Sequence, residues 1–246
     1  MSKVAIIIPC YNEEHRLPIE KIGAFIEQHS NVSICLVNDG SSDKTADVIG
    51  GFAQKFPNQV MAINLGQNAG KAEAIRQGMI HVLPLSDAEW FGYWDADLAT
   101  PLDEIDHLLS YANQDRGLLM CSRLKRLGAP VERHLWRHYL GRVMATLISL
   151  TLKLPVYDTQ CGEKLIRREV ANDIFSEKFI SRWLFDVEII ARIQQKHPDD
   201  SIHSQIVEVP VNYWKDVSGS KMLLGHMFYS LVDLVKIYFK LRMHRN

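Results

Sequence analysis

The chain has 246 residues, with 28 Lys+Arg against 29 Asp+Glu, 47% hydrophobic and 23% charged residues. That length suits one large α/β domain or two small ones, and the near-average composition excludes a disordered, collagenous or disulfide-scaffold protein. A formal net charge of −1 excludes a globally basic nucleic-acid binder, so no nucleic-acid partner is expected.

Taken in chain order, the first hundred residues alternate strand-like and helix-like runs. Val4-Ala5-Ile6-Ile7-Ile8 is a continuous apolar, β-branched run stopped by Pro9, the pattern of a strand buried on both faces. Residues 17–29 carry helix-spaced apolar side chains (Ile19, Ile22, Phe25, Ile26), and 32–37 is a second buried strand. Residues 45–56 read as a helix capped by Ser42 or Asp43. Then come a strand over 60–63, a helix over 70–82 and an aromatic strand over 90–94. Repeated βα units predict a mostly parallel sheet flanked by helices, with ligands outside the carboxyl ends of the strands.

The loops at those ends are polar: Pro9-Cys10-Tyr11-Asn12-Glu13-Glu14, Asn38-Asp39-Gly40-Ser41-Ser42-Asp43 and Asp95-Ala96-Asp97. Any one of them is ordinary turn composition; three on one sheet edge point to a site. Two carboxylates one residue apart, Asp95 and Asp97, suit a hard divalent cation, Mg2+ or Mn2+, shared with a diphosphate. Asn68-Ala69-Gly70-Lys71 opens a helix with a glycine for close backbone approach and a lysine for an anion. It lacks the GxxxxGK[ST] spacing of a P-loop, no GxGxxG follows the first strand, and the ten histidines show neither HxH nor HExxH spacing.

The second half is less regular. Residues 116–142 hold seven Lys+Arg, among them Arg123, Arg133 and Arg137, against the single acid Glu132, an excess suited to an anionic partner or to a solvated face. Residues 140–156 are apolar and too short to span a bilayer. The segment 216–221 has the composition of a hinge, with Ser220 and Lys221 able to close over a phosphate. In the tail, Leu224, Met227, Phe228, Leu231, Val235 and Tyr238 share one helical face, with Ser230, Asp233, Lys236 and Lys240 turned away from it. Both apolar stretches suit an interfacial membrane contact or a homodimer face, with packing on their own domain as the default. Val4 to Ile8 is too short for a signal-peptide core, and no uncharged apolar run reaches about 18 residues. Cys10, Cys35, Cys121 and Cys161 have no CxxC spacing and read as reduced, mostly buried residues of a cytoplasmic protein.

In order and spacing, these first-half motifs resemble the family 2 glycosyltransferases of GT-A fold. Asp158-Thr159-Gln160-Cys161-Gly162-Glu163-Lys164-Leu165, Arg182-Trp183-Leu184-Phe185-Asp186-Val187-Glu188, Val209-Pro210-Val211-Asn212-Tyr213-Trp214 and Gly219-Ser220-Lys221 look like the dolichyl-phosphate β-glucosyltransferase branch. The resemblance covers nearly the whole chain, from Val4 to about Lys240. It implies a single GT-A domain over 1–221 and an amphipathic C-terminal helix over 222–246. It also implies a donor pocket of Pro9, Tyr11, Glu13, Asp39 and Lys71, with Asp95 and Asp97 on the metal, and Gln160, Cys161 and Gly162 along the sugar. Arg123, Arg133 and Arg137 would hold an acceptor phosphate. The implied reaction is an inverting transfer of a hexose, glucose from UDP-glucose, to a polyprenyl phosphate, with the enzyme peripheral on the cytoplasmic face of a membrane. One alternative keeps the fold and takes a saccharide hydroxyl as acceptor, with Asp186 as general base; Glu188 could instead orient a sugar hydroxyl, or both carboxylates simply pair with Arg182 or Arg192. Another class of alternative is a nucleotide-sugar-binding or membrane-adaptor protein without turnover.

Overall fold

The computed structural model describes residues 2–124, 131–132, 135–197, 201–215 and 224–243. In chain order its elements are β1 (Val4–Cys10), α1 (Ile19–Gln28), β2 (Val32–Asn38), α2 (Thr45–Lys55), β3 (Val60–Asn64), α3 (Lys71–Val82), β4 (Trp90–Tyr93), α4 (Glu104–Leu109) and β5 (Leu118–Ser122). There follow β6 (Val131–Glu132), α5 (Leu135–Leu152), β7 (Lys164–Arg167), α6 (Arg168–Ile174), α7 (Phe185–Lys196), α8 (Ile202–Gln205), β8 (Ile206–Pro210), β9 (Trp214–Lys215) and α9 (Leu224–Met243). They form two compact units, Met1–Leu98 with Gly162–Lys178, and Ala99–Cys161 with Phe179–Asn246.

The first unit is a sheet in the order β3-β2-β1-β4-β7, parallel except for β7, which runs antiparallel to β4. Its centre is β1, whose Val4 to Ile8 are all buried because strands flank it on both edges and helices cover its faces. Strand order reverses between β1 and β4, which is where a crevice opens at the carboxyl ends of such sheets. Helix α3 covers β1 and β2 with Ala72, Ile75, Met79 and Val82 buried.

The element boundaries follow the pattern reading to within a residue or two, and local chemistry accounts for three of the ends. Strand β1 runs through Pro9, in register with Val37, to Cys10, because proline's φ is strand-compatible and its only loss is one donor. Helix α1 begins at Ile19 rather than 17, since Leu17 precedes Pro18 and is disfavoured in the helical region. At α2 it is Asp43 that serves the amino end, its carboxylate accepting the Thr45 amide at 3.0 Å.

The second unit pairs β5 with β8 in parallel and β6 with β9 in parallel. Around them α5, α7 and α9 pack on one another. Helix α9 forms where the tail's apolar spacing places a helix. Leu234 and Ile237 are buried, while Leu231, Val232, Val235 and Phe239 are exposed. Two polar ties turn the helix this way: Ser181 donates to Asp233 at 2.7 Å, and Lys240 meets the buried Glu188 at 3.5 Å. Among the described residues no helix is long and apolar enough to cross a membrane.

Candidate active site

In the first unit the loops after β1 and β2 are stitched to each other. Asn12, at φ 54°, accepts from the Ser42 amide at 3.0 Å while its own amide donates to Ser41 Oγ at 3.0 Å. The Glu13 amide donates to Thr45 Oγ1 at 2.8 Å, and the Glu13 carboxylate pairs with Arg16. Pro9 lies within the pairing of β1, which ends at Cys10, and Tyr11 just beyond it is exposed. These contacts leave the peptide edge between the two loops as a fixed wall.

Asp39 is the anchor of the next loop. It is 2% exposed, and its carboxylate accepts from the Ala69 amide at 2.8 Å, the Gly70 amide at 2.9 Å and the Asn68 side chain at 3.1 Å. A buried carboxylate thus gains three donors, and the loop entering α3 gains a fixed shape. Two glycines make the approach feasible. Gly70 sits at φ 93°, and a Cβ on Gly40, at φ 64°, would come 2.4 Å from the Gln67 backbone.

The Asp95-Ala96-Asp97 segment leaves β4 in a turn closed by the Leu98 amide donating to Asp95 O at 3.1 Å, with Leu98 at φ 47°. Ala96 is buried, so the two flanking carboxylates are directed away from the core; Asp97 is exposed and Asp95 half-buried. Asp95 is ion-paired with Lys71, the first residue of α3. On its other side lies Gly162, where a Cβ would stand 2.1 Å from Asp95 Oδ2. Hard oxygen donors from two carboxylates, open toward solvent, fit a divalent cation that completes its shell with water and phosphate oxygens. Among the described residues no third Asp, Glu, His or Cys joins them. Asp95 and Asp97 have the chemistry to hold such a metal.

The second unit holds the other expected residues, among them two engagements that sequence patterns do not reveal. Arg123 is not a loose cation: its Nε and Nη2 each donate to Asp158 at 2.8 Å, and the guanidinium lies 5.6 Å from the Trp214 ring. Asp158 is in turn placed by Glu208, which accepts from the amides of Tyr157, at 2.8 Å, and Asp158. Burial pushes the Glu208 carboxyl above its ordinary value, against the pull of those amides. Glu208 escaped the motif reading; a charged residue inside Val207-Glu208-Val209 was the available signal. Gln160 has a buried side-chain nitrogen without a hydrogen-bond partner among the described residues, whereas the Cys161 side chain is fully buried.

Asp186 lies buried in the first turn of α7. Glu188, one of two alternatives for that helix, is committed to structure: it accepts from the Ile180 amide at 2.7 Å and from Arg192 at 2.9 Å. Arg133, Ser220 and Lys221 lie outside the described residues, as does the side chain of Arg137.

Residues 5–175 match the model of glycosyl transferase family 2. The chain belongs to this family. It is 32% identical over 251 residues to a dolichyl-phosphate β-glucosyltransferase of Trichomonas vaginalis, covering 95% of this chain and 71% of the relative. The dolichyl-phosphate β-glucosyltransferase of Homo sapiens is 29% identical over 238 residues, 90% of this chain and 70% of that one. Among solved structures, mannosyl-3-phosphoglycerate synthase from Rubrobacter xylanophilus superposes with a TM-score of 0.68 at 14% identity, over 96% of this chain and 73% of that one. Glucosyl-3-phosphoglycerate synthase from Mycobacterium tuberculosis, in complex with Mn2+, UDP and glucosyl-3-phosphoglycerate, gives 0.64 at 16% identity, over 96% and 80%. These likenesses carry the fold, GT-A, and family membership makes this family 2 protein a glycosyltransferase.

Proposed function

We propose that this glycosyltransferase moves glucose from UDP-glucose to a polyprenyl phosphate of the dolichyl type, inverting the anomeric carbon. The observation that carries the reading is the pair Asp95 and Asp97 at the carboxyl end of β4, next to the loop that Asp39 clamps. Relatives matched over nine-tenths or more of the chain bear the name of that reaction, which supports the same acceptor. Pro9, Tyr11, Glu13 and Asp39 would frame the uridine, and Lys71 would meet the diphosphate. Gln160 supports a sugar subsite, since its buried nitrogen needs an acceptor such as a hexose hydroxyl.

A phosphomonoester has its second pKa at about 6 and arrives largely as a dianion. Its oxygen attacks C1 of glucose in line, the bond from C1 to the β-phosphate oxygen breaks, and UDP departs with the electron pair. No proton has to be removed, so no general base is needed. A sugar hydroxyl acceptor would need one, and Asp186 is the residue for that role. Bound Mg2+ or Mn2+ neutralises charge on the leaving diphosphate.

The acceptor's lipid suits a bilayer-surface location, and exposed apolar side chains of the second unit support it. Val143, Leu147 and Leu150 on α5, with Val232, Val235 and Phe239 on α9, are exposed large apolar side chains at helical spacing. Those two helices carry Arg137, Arg142, Lys236, Lys240 and Arg242 against Asp233 alone, a balance that favours anionic lipid headgroups.

The test is transfer to a short polyprenyl phosphate with Mg2+ or Mn2+, offering UDP-glucose, UDP-galactose, UDP-N-acetylglucosamine and GDP-mannose in parallel. A metal-dependent hexosyl phosphoprenol from UDP-glucose is the expected product by mass spectrometry. Lipid product from another donor alone would reassign the sugar, and none from any donor would remove the lipid acceptor. UDP binding without donor consumption would point to a non-catalytic binding protein.

A further inference from the structure

We propose that Lys71 and the divalent metal compete for Asp95, and that the nucleotide diphosphate relieves this competition by drawing Lys71 to itself. The inference rests on the nucleotide-sugar reading of this site and names how its two ligands are coupled. Lys71 opens α3, so its position is set by the loop that Asp39 holds through the Ala69 and Gly70 amides at 2.8 and 2.9 Å. Its ammonium pairs with Asp95 Oδ1, and both side chains are about a third exposed, at 37% and 36%. The other carboxylate oxygen faces Gly162, where a Cβ would stand 2.1 Å from Oδ2 and 2.5 Å from Cγ. Asp95 is therefore confined between an ammonium and a backbone.

A divalent cation approaching Asp95 meets a positive charge already on the carboxylate. It must displace the ammonium and then tolerate it nearby, which weakens metal binding. A diphosphate supplies several anionic oxygens within reach of the same lysine, which then leaves Asp95 to the metal. By linkage, whatever factor the nucleotide adds to metal affinity, the metal adds to nucleotide affinity. Direct ligation of the metal by diphosphate also produces such synergy. What separates the two accounts is the metal affinity measured with no nucleotide present.

The experiment is Mn2+ binding to the full-length protein by electron paramagnetic resonance, without nucleotide and then with saturating UDP. Wild type, Lys71→Gln, Lys71→Met and Asp95→Asn are compared. Competition predicts that both lysine variants bind Mn2+ about three- to tenfold more tightly than wild type without UDP, and gain less than wild type when UDP is added. Asp95→Asn should lose the site in both conditions. Gly162→Ala, which shifts the carboxylate, should weaken Mn2+ binding several-fold in either condition while leaving the melting temperature near wild type.

Unchanged or weaker nucleotide-free affinity in the lysine variants overturns the proposal, as does binding that stays undetectable at millimolar Mn2+. Equal binding by Asp95→Asn overturns it as well, by placing the metal elsewhere. None of these readouts depends on the sugar or the acceptor. Failure of glucosyl transfer would sink the functional reading while leaving the measured competition intact.

Discussion

Replacing Asp39 with alanine removes a carboxylate, 2% exposed, that accepts from the Ala69 and Gly70 amides at 2.8 and 2.9 Å and from Asn68 at 3.1 Å. A hydrogen bond to a charged group contributes about 1.5–3 kcal/mol when both partners are buried. Here the donors lie on a half-buried loop that water reaches, so about 1–2 kcal/mol for each backbone donor is the fitting range, with less for Asn68. The two backbone donors alone sum to about 2–4 kcal/mol, which for a chain of this size lowers the melting temperature by roughly 4–16 °C. Asp39→Asn keeps the shape and one acceptor oxygen, and should cost about half as much. The assay is urea unfolding and thermal melting without ligand, with UDP titration on the folded variants. UDP binding should weaken in both, because the loop that delivers Lys71 loosens. A pocket carboxylate that only contacts ligand would leave stability unchanged or raised when removed. An unaltered melting temperature in Asp39→Ala would therefore refute the clamp.

Four other outcomes follow from geometry already described. Arg123→Ala and Asp158→Ala should each destabilise by about 3–5 kcal/mol, since each leaves a partly buried charge without its fork, and a double-mutant cycle in urea should give a coupling of about 1–3 kcal/mol; additive losses would contradict the bidentate pair. Glu208 has a raised pKa because burial disfavours its charge, so the folded protein binds this proton more tightly than the unfolded chain. Stability should then fall as pH rises from the ordinary glutamate value of about 4.3 through the elevated folded value, and Glu208→Gln should flatten that slope in urea titrations at stepped pH. Asp186→Asn should retain substantial glucosyl transfer to polyprenyl phosphate, whereas a rate drop of a hundredfold or more would make Asp186 a base and point to a hydroxyl acceptor. Val235→Asp with Phe239→Asp should abolish flotation with anionic vesicles while leaving UDP binding intact; unchanged flotation, or a shift in sedimentation instead, would assign that face to a second copy.

Legibility in the sequence followed periodicity. The βα repeats of the first hundred residues announce themselves because β-branched runs alternate with helix-spaced apolar residues, and the polar loops between them mark the sheet edge that carries Asp39 and Asp95. What the pattern hides is partner choice. Arg123 reads as a cation for a ligand, yet its fork is filled by Asp158, 35 positions away. The tail shows the same limit: its apolar face suits a membrane, a second copy or its own domain equally, while the contacts of Asp233 with Ser181 and of Lys240 with Glu188 join residues far apart in the chain. Such contacts are set by long-range packing, which a local pattern does not contain.

All four cysteines are buried thiols. Burial pushes the Cys35 thiol up to about 12 and raises that of Cys10 further, with the charge of Glu13 adding to the effect at Cys10. Thiol reagents act on the thiolate and all four thiols are buried, so the folded chain is expected to react only slowly with maleimide at neutral pH. A single cysteine introduced at exposed Tyr11 or Tyr213 would then carry the only dye, with no native cysteine to be removed first. The slow modification of the remaining four then becomes a clock for global opening.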